Sequence, residues 1–169
     1  ITVDAGGVLN FVSGGSTLTG VAGVSHNHIG DLILAGGTVN LSYSGTGEAY
    51  NGESVQLDRN LDVGGSTPST IQYGAGGTAA NAGVAFSTAA HTVTVADVTG
   101  SAAADLVIKA ELESSDGGAG GFTKLGAGPM MLADAIAHRY TGTTPVTEGT
   151  RAGTGSLAGR LGDEGGAPR

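Results

Sequence analysis

The sequence has no cysteine and no tryptophan, and aromatic residues make up only 4% of its 169 residues. Without cysteine, no disulfide framework can hold the fold together. Because large aromatic side chains are scarce, the bulk of any core has to come from Val, Leu, Ile and Ala. A chain of this length suits one domain or one segment of a longer protein, so we expect residues 1–169 to form a single unit with a thin aliphatic core.

Charge is also scarce. Only 13% of the residues are charged, about half the usual share, and the formal net charge is −8. No basic cluster is present, so the sequence predicts no nucleic-acid binding. The acidic balance disfavours anionic membranes and no apolar run approaches transmembrane length, so we expect no direct membrane insertion of this segment. The first residue is Ile1 rather than Met, which indicates a processed product or a fragment.

Apolar and polar residues alternate along most of the chain, which is typical of short β-strands with one buried face. In the clearest case Val39, Leu41 and Tyr43 alternate with polar residues. The same pattern predicts strands at 8–12, 55–57, 61–63, 71–73, 84–86, 93–95 and 106–112. No segment shows a convincing helical period. Glycine-rich turn segments lie between the strands, at 5–7, 35–37, 63–69, 73–77 and 114–121, where sharp corners need positive φ angles.

One short motif occurs twice, as "AGGVLNF" at 5–11 and "AGGTVNL" at 35–41. This separation equals about one long coil of a stacked architecture, and a narrow coil also needs many small residues. The absence of a fixed Gly-X-Y period excludes collagen. We therefore predict an all-β fold, a parallel β-helix (β-solenoid) with short strands, glycine-rich corners and coils of unequal length.

The stretch 120–150 resembles the autotransporter-associated β-strand repeat, also called the passenger-associated transport repeat. The resemblance rests on matching residues and spacings: Phe122, Thr123, Lys124, Gly126, Gly128, Leu132, Tyr140, Thr141, Gly142, Thr143, Thr144, Val146, Gly149 and Thr150. Pro129, Met130 and Pro145 depart from the family pattern. The resemblance implies a right-handed parallel β-helix in a bacterial secreted or surface-displayed protein, without catalytic residues.

In such a coil we expect Phe122, Leu132 and Val146 to stack inside, and Thr123 and Thr143 to stand on the outer face. Lys124 is predicted to be a solvated corner charge, since isolated lysines are mostly exposed. The alternative is that Lys124 protects an edge strand against unwanted pairing with another chain. Residues 153–169 read as a glycine-rich C-terminal tail.

Three motifs could carry chemistry. Gly74, Gly76 and Ala79, with Asp97 downstream, match a relaxed dinucleotide-loop fingerprint, although no βαβ unit follows. His26 and His28, with Asp31 nearby, could meet one metal from a strand face, but polar turn residues are the commoner explanation. The segment "QLDRNLD" brings together Asp58, Arg59 and Asp62, downstream of Glu48 and Glu53. These acidic residues could serve a calcium-dependent lyase, whereas an exposed ion pair is the plainer interpretation.

Acyl chemistry has no motif here, because the Gly-x-Ser-x-Gly nucleophile elbow is missing and His91 and His138 have no spacing that indicates a triad. Asn40-Leu41-Ser42 is a formal glycosylation sequon that arises easily by chance. The sequence predicts no catalytic, cofactor-binding or metal-binding residues and no cofactor.

We therefore expect a non-catalytic structural protein of the bacterial cell surface or extracellular space, which forms a stalk or a self-assembling filament. Self-association into a homo-oligomer or filament is the predicted partnership. The alternative is an adhesin that binds surface glycans along a face carrying Tyr43, Tyr50 and Tyr73. A carbohydrate-cleaving β-helix enzyme is a further alternative.

Overall fold

The structure is a computed structural model that describes residues 1–13, 27–44, 53–78, 82–114, 120–132 and 138–153. Within these ranges the chain forms fifteen β-strands and no helix. The strands are β1 (Thr2–Asp4), β2 (Val8–Ser13), β3 (Asn27–Ile29), β4 (Leu32–Ala35), β5 (Thr38–Tyr43), β6 (Glu53–Leu57), β7 (Leu61–Val63), β8 (Ser69–Tyr73), β9 (Gly83–Phe86), β10 (Ala90–Val95), β11 (Leu106–Lys109), β12 (Leu112–Ser114), β13 (Gly121–Leu125), β14 (Met130–Leu132) and β15 (Arg151–Gly153).

The strands form three parallel sheets that run along one axis. Sheet A has the order β1-β4-β7-β10-β13, sheet B has the order β15-β14-β11-β8-β5-β2, and sheet C has the order β12-β9-β6-β3. Each of the first four circuits of the chain adds one strand to each sheet, and every strand pairs with the strand one circuit before or after it. The predicted all-β parallel β-solenoid is confirmed.

The strand register explains the repeated motif. Val8 pairs with Thr38 and Phe11 pairs with Leu41, so the two copies of the motif lie directly on top of each other in sheet B. Other coils differ in length, because the number of residues between paired positions varies. It is larger between Ser69 and Leu106 than between Met130 and Arg151. The prediction of unequal coils is confirmed.

The core is a set of aliphatic columns that run through successive coils. In sheet B, Val39 pairs with Ile71, Ile71 with Ile108, and Ile108 with Leu132, and each is 1% exposed. Sheet C has an equivalent column of Val55, Val84 and Leu112. Burying such side chains is worth about 1.5–3 kcal/mol each, so alignment of like residues supplies most of the driving force for stacking. The expected aliphatic core is confirmed.

Glycines with positive φ recur at the corner between sheet A and sheet B in successive coils: Gly6, Gly36, Gly65, Gly100 and Gly126. Gly65 has φ +85°, and a Cβ there would lie 2.8 Å from the carbonyl oxygen of Ala35 in the previous coil. An L side chain is disfavoured both by this backbone conformation and by the close approach of the coils. The predicted role of glycine at sharp corners is confirmed.

Side-chain amides form a second ladder on the outer face of sheet B. Asn40 Nδ2 donates to Asn10 Oδ1 at 3.0 Å, and Gln72 Nε2 donates to Asn40 Oδ1 at 3.1 Å. The sequon residue Asn40 therefore bridges the coils before and after its own. This ladder adds hydrogen bonds that run along the axis, parallel to the backbone pairing.

The stretch 120–150 forms the last full coil, from β13 through β14 to an isolated parallel bridge between Lys124 and Val146. Phe122 and Leu132 are buried as expected, Thr143 is exposed, and Val146 is only half-buried. Pro145 cannot donate a backbone hydrogen bond, but its carbonyl accepts from the Lys124 N–H at 2.8 Å. Around Pro145 the pairing with β13 therefore consists of one isolated bridge, between Lys124 and Val146.

Candidate functional site

Lys124 lies inside the end of the solenoid, and the prediction of a solvated corner charge is wrong. Strand alternation places Phe122 and Lys124 on the same inner face, and Lys124 is 0% exposed. Its Nζ donates to the carbonyls of Leu125 at 2.8 Å, Gly126 at 2.6 Å and Glu148 at 3.2 Å. All three ammonium protons thus have acceptors. Burial lowers the pKa of Lys124, and the carboxylates of Glu148 and Asp105 oppose this effect.

Other polar side chains share this end of the core. His138 Nδ1 accepts the Leu112 N–H at 3.1 Å, so the neutral ring carries its proton on Nε2, which is buried without a partner. Burial, with a contribution from the Arg151 guanidinium, lowers the pKa of His138 to about 4. Tyr140 is 1% exposed and its hydroxyl accepts from Thr144 Oγ1 at 2.7 Å. The aliphatic columns therefore end in a polar layer, which we call the end cap: Lys124, His138, Tyr140, Thr144 and Arg151.

A pair of buried carboxylates lies on the outer side of β12. The guanidinium of Arg139 contacts the Glu111 carboxylate through Nε and, through Nη2, lies 3.3 Å from Glu113 Oε2. The Glu111 and Glu113 side chains are only 2% and 5% exposed. Burial raises the pKa of Glu111, against the lowering effect of Arg139. The pair resembles the two carboxylates of a glycosidase in composition, but both groups are bound to one arginine and their burial leaves little room for a sugar.

Tyr73 belongs to the interior and not to a glycan-binding face. Its ring packs against the hydrophobic core, and its hydroxyl accepts the Glu111 N–H at 2.8 Å. Burial raises the pKa of Tyr73 to about 12. Tyr43 is half-buried and lies on the inward face of its strand. Tyr50 lies outside the described residues. Tyr43 and Tyr73 therefore do not form an exposed platform of the kind that an adhesin would need.

Of the candidate metal ligands, His28 and Asp31 have different partners. His28 Nδ1 lies 3.3 Å from both oxygens of Asp58, which also accepts from Gln56 Nε2 at 2.8 Å. Asp31 instead accepts the Asn60 N–H at 3.2 Å. His26 lies outside the described residues. In the part of the chain that the structure describes, no three His, Cys, Asp or Glu residues are grouped so that they could hold a metal.

The acidic residues that could serve a calcium-dependent lyase lie near β6 and β7. Asp58 lies 3.3 Å from His28 Nδ1, and both side chains are exposed. Asp62 lies on β7, between Ile33 and Thr94 of the neighbouring strands. Glu48 is outside the described residues, and the side chain of Glu53 is not described.

The dinucleotide-loop interpretation is wrong. A Cβ at Gly74 would strike the Ser42 hydroxyl, and one at Gly76, which has φ +69°, would strike the Tyr43 carbonyl oxygen. Both glycines are thus explained by the close approach of the previous coil. The chain continues into strand β9 and not into a helix that could receive a phosphate. Asp97 accepts the Gly100 N–H at 2.7 Å within its own turn, and Ala79 lies outside the described residues.

His91 stands at a three-residue corner between β9 and β10. Its Nδ1 lies 2.6 Å from the Arg59 carbonyl oxygen, and its Nε2 lies 2.9 Å from Ser87 Oγ. A cavity of about 270 Å³ adjoins this corner and is lined by Thr88, Ala89, Ala90, His91, Gly121, Phe122, Thr123, Thr143 and Pro145. The sequence does not single out Ser87 beside His91, because two residues four apart across a turn match no known catalytic spacing.

Comparison with protein-family models, with curated proteins and with solved structures gives no significant match to this chain. The resemblance to the autotransporter-associated β-strand repeat therefore stays a prediction. Among the described residues, no helix is long and apolar enough to cross a membrane.

Proposed function

We propose that this chain is a structural segment of a bacterial protein at the cell surface or outside the cell, where it serves as a stalk or a self-assembling filament. The observation that supports this most strongly is the continuous backbone pairing along the axis, which reaches six strands in sheet B. Adjacent parallel strands are spaced about 4.8 Å apart, so each coil adds that length at low conformational cost. A rod of this kind is stiff because bending it has to stretch backbone hydrogen bonds.

The N-terminal end of the solenoid favours self-association. Among the described residues, β1, β2 and β3 each pair with one other strand, and each is the terminal strand of its sheet. Three apolar side chains on this end are more than half exposed: Ile1, Val8 and Val12. Unpaired edge strands with apolar side chains pair readily with another chain. A second copy of this chain is the occupant we propose.

Sedimentation and negative-stain microscopy over a range of concentrations test this proposal. We expect association that rises with concentration and, in any fibres, a reflection at about 4.8 Å along the fibre axis. The double substitution Val8→Lys with Val12→Lys places charges on the edge strand and should suppress association. Met131→Lys is the matched control, because Met131 is also exposed and apolar but lies on β14, away from this edge.

A monomer at all concentrations would contradict self-assembly.

Limited proteolysis tests the stalk role independently. Paired coils should resist cleavage through 27–44, 53–78 and 82–114, since protease needs a locally unfolded chain. Rapid cleavage within those ranges would contradict a mechanical role of either kind.

A further inference from the structure

We propose that Ser87 is a nucleophile activated by His91, and that this corner transfers short acyl groups from esters to water. The inference goes beyond the structural role and depends on different residues. The corner between β9 and β10 is short, with strand ends at Phe86 and Ala90, and this brings Ser87 back against the ring of His91. A hydroxyl within hydrogen-bond reach of an oriented imidazole is the arrangement that activates a serine.

The proton positions follow from the partners of the ring. The Arg59 carbonyl oxygen can only accept, so His91 Nδ1 carries the proton and donates at 2.6 Å. In the neutral ring, Nε2 is then an acceptor, and Ser87 Oγ donates to it at 2.9 Å. The backbone carbonyl thus orients the base, which is the part that a carboxylate plays in a catalytic triad.

Neighbouring coils hold this geometry in place. The Thr92 N–H donates to Asn60 Oδ1 at 3.1 Å, and the Asn60 N–H donates to Asp31 Oδ1 at 3.2 Å, so the 59–60 turn is fixed from both sides. His91 is 2% exposed, and its ring lies 5.6 Å from that of Phe86. A base whose ring is packed and bonded on both nitrogens loses little freedom when it accepts a proton.

The cavity beside His91 limits the class of substrate; it is lined by His91 and by Thr88, the residue after Ser87, but not by Ser87 itself. Its volume of about 270 Å³ suits a short acyl group and not a long chain. Phe122 and Pro145 supply apolar lining, whereas Thr123 and Thr143 supply hydroxyls. Ser87 is half-buried and the three residues that follow it are exposed, so the leaving group of an ester would face solvent.

The reaction needs no oxidant and no cofactor. Ser87 Oγ attacks the ester carbonyl carbon while its proton passes to His91 Nε2. The bond from carbon to the alcohol oxygen then breaks, and Nε2 returns the proton to the departing alkoxide. In the second step water loses a proton to Nε2 and attacks the acyl-serine, which releases the carboxylic acid and restores the Ser87 hydroxyl.

The test uses the full chain with p-nitrophenyl acetate, followed by mass mapping of the acetylated position. We expect release of nitrophenol and an acetyl group on Ser87, with loss of about 10²-fold or more of the rate in Ser87→Ala and in His91→Gln. Ser101→Ala is the matched control, because Ser101 also accepts the N–H of the residue two positions on but contacts Thr99 instead of a histidine. Circular dichroism and the melting temperature show whether each variant remains folded.

Ser87→Cys keeps a nucleophile and should still become acetylated, which keeps the test informative if Ser87→Ala fails to fold. Folded wild-type protein without acetylation of Ser87 would overturn the proposal. Equal acetylation of Ser87 and Ser101, or a rate unchanged in folded His91→Gln, would overturn it as well. In those cases the hydrogen bond between Ser87 and His91 serves only to close the corner.

Discussion

Replacing Lys124 by methionine removes the buried ammonium and keeps most of the side-chain volume. The carbonyls of Leu125, Gly126 and Glu148 then lose their common donor. Glu148 is exposed, so its carbonyl can bind water, whereas the other two lie on half-buried residues. At about 1–3 kcal/mol for each unsatisfied buried acceptor, and with relief from desolvation of the charge as a partial offset, we expect Lys124→Met to lower the free energy of unfolding by about 2–4 kcal/mol.

Urea unfolding followed by far-ultraviolet circular dichroism measures this difference. Lys109→Met is the matched control, because Lys109 is an exposed lysine on β11, and its loss should change the free energy of unfolding by less than about 0.5 kcal/mol. An equal effect of the two substitutions would refute the reasoning, since it would mean that the Lys124 ammonium is solvated. A more stable Lys124→Met would refute it too, because desolvation would then outweigh the three hydrogen bonds.

Two further predictions concern the end cap and the corners. Because burial lowers the pKa of His138 from 6.5 to about 4, the unfolded chain takes up a proton first, and stability present above pH 6.5 should fall as the pH drops towards 4. The difference in pKa corresponds to at most about 3 kcal/mol, and His138→Asn, which keeps an acceptor without titrating, should flatten this part of a pH series of urea midpoints. Gly65→Ala should cost about 1–3 kcal/mol, because Gly65 has φ +85° and touches the previous coil. Gly64→Ala, where a Cβ meets nothing within 4 Å, should be nearly neutral in the same assay, and a similar loss at both glycines would contradict this.

The strands and their stacking could be predicted because they follow from local patterns. Period-two alternation places Val39 and Leu41 on one face, and both are buried. The repeated "AGG" motif marks equivalent corners of adjacent coils, and its spacing equals the register between Val8 and Thr38. These features depend only on residues near one another in sequence, or on a repeat that is visible in it.

The same alternation also placed Lys124 inside, opposite to the general preference of lysine for solvent. The general preference of lysine predicts an exposed side chain, whereas alternation with Phe122 predicts a buried one. Within a strand the alternation decides the direction of the side chain. The sequence does not show that three carbonyls converge there, because one of them comes from Glu148, 24 residues away.

Contacts between coils of unequal length were beyond prediction. His91 meets the Arg59 carbonyl across 32 residues, and Asp58 meets His28 across 30. Such pairs depend on the number of residues in each corner, which varies along the chain. The Ser87 and His91 pair is local but depends on the tightness of one turn, and no side-chain pattern encodes that.

Cysteine cross-linking tests the stacking of the coils most directly, because the chain has no cysteine of its own. Val8 and Thr38 pair in adjacent strands, so their Cα atoms should lie about 4.8 Å apart, within the disulfide range. The combination Val8→Cys with Thr38→Cys should oxidise readily to an intramolecular disulfide. In Val8→Cys with Asn40→Cys the separation grows to about 8 Å, too far for a bond without backbone movement. Preferential cross-linking of Val8 with position 40, or equal yields for both combinations, would contradict the register on which the solenoid depends.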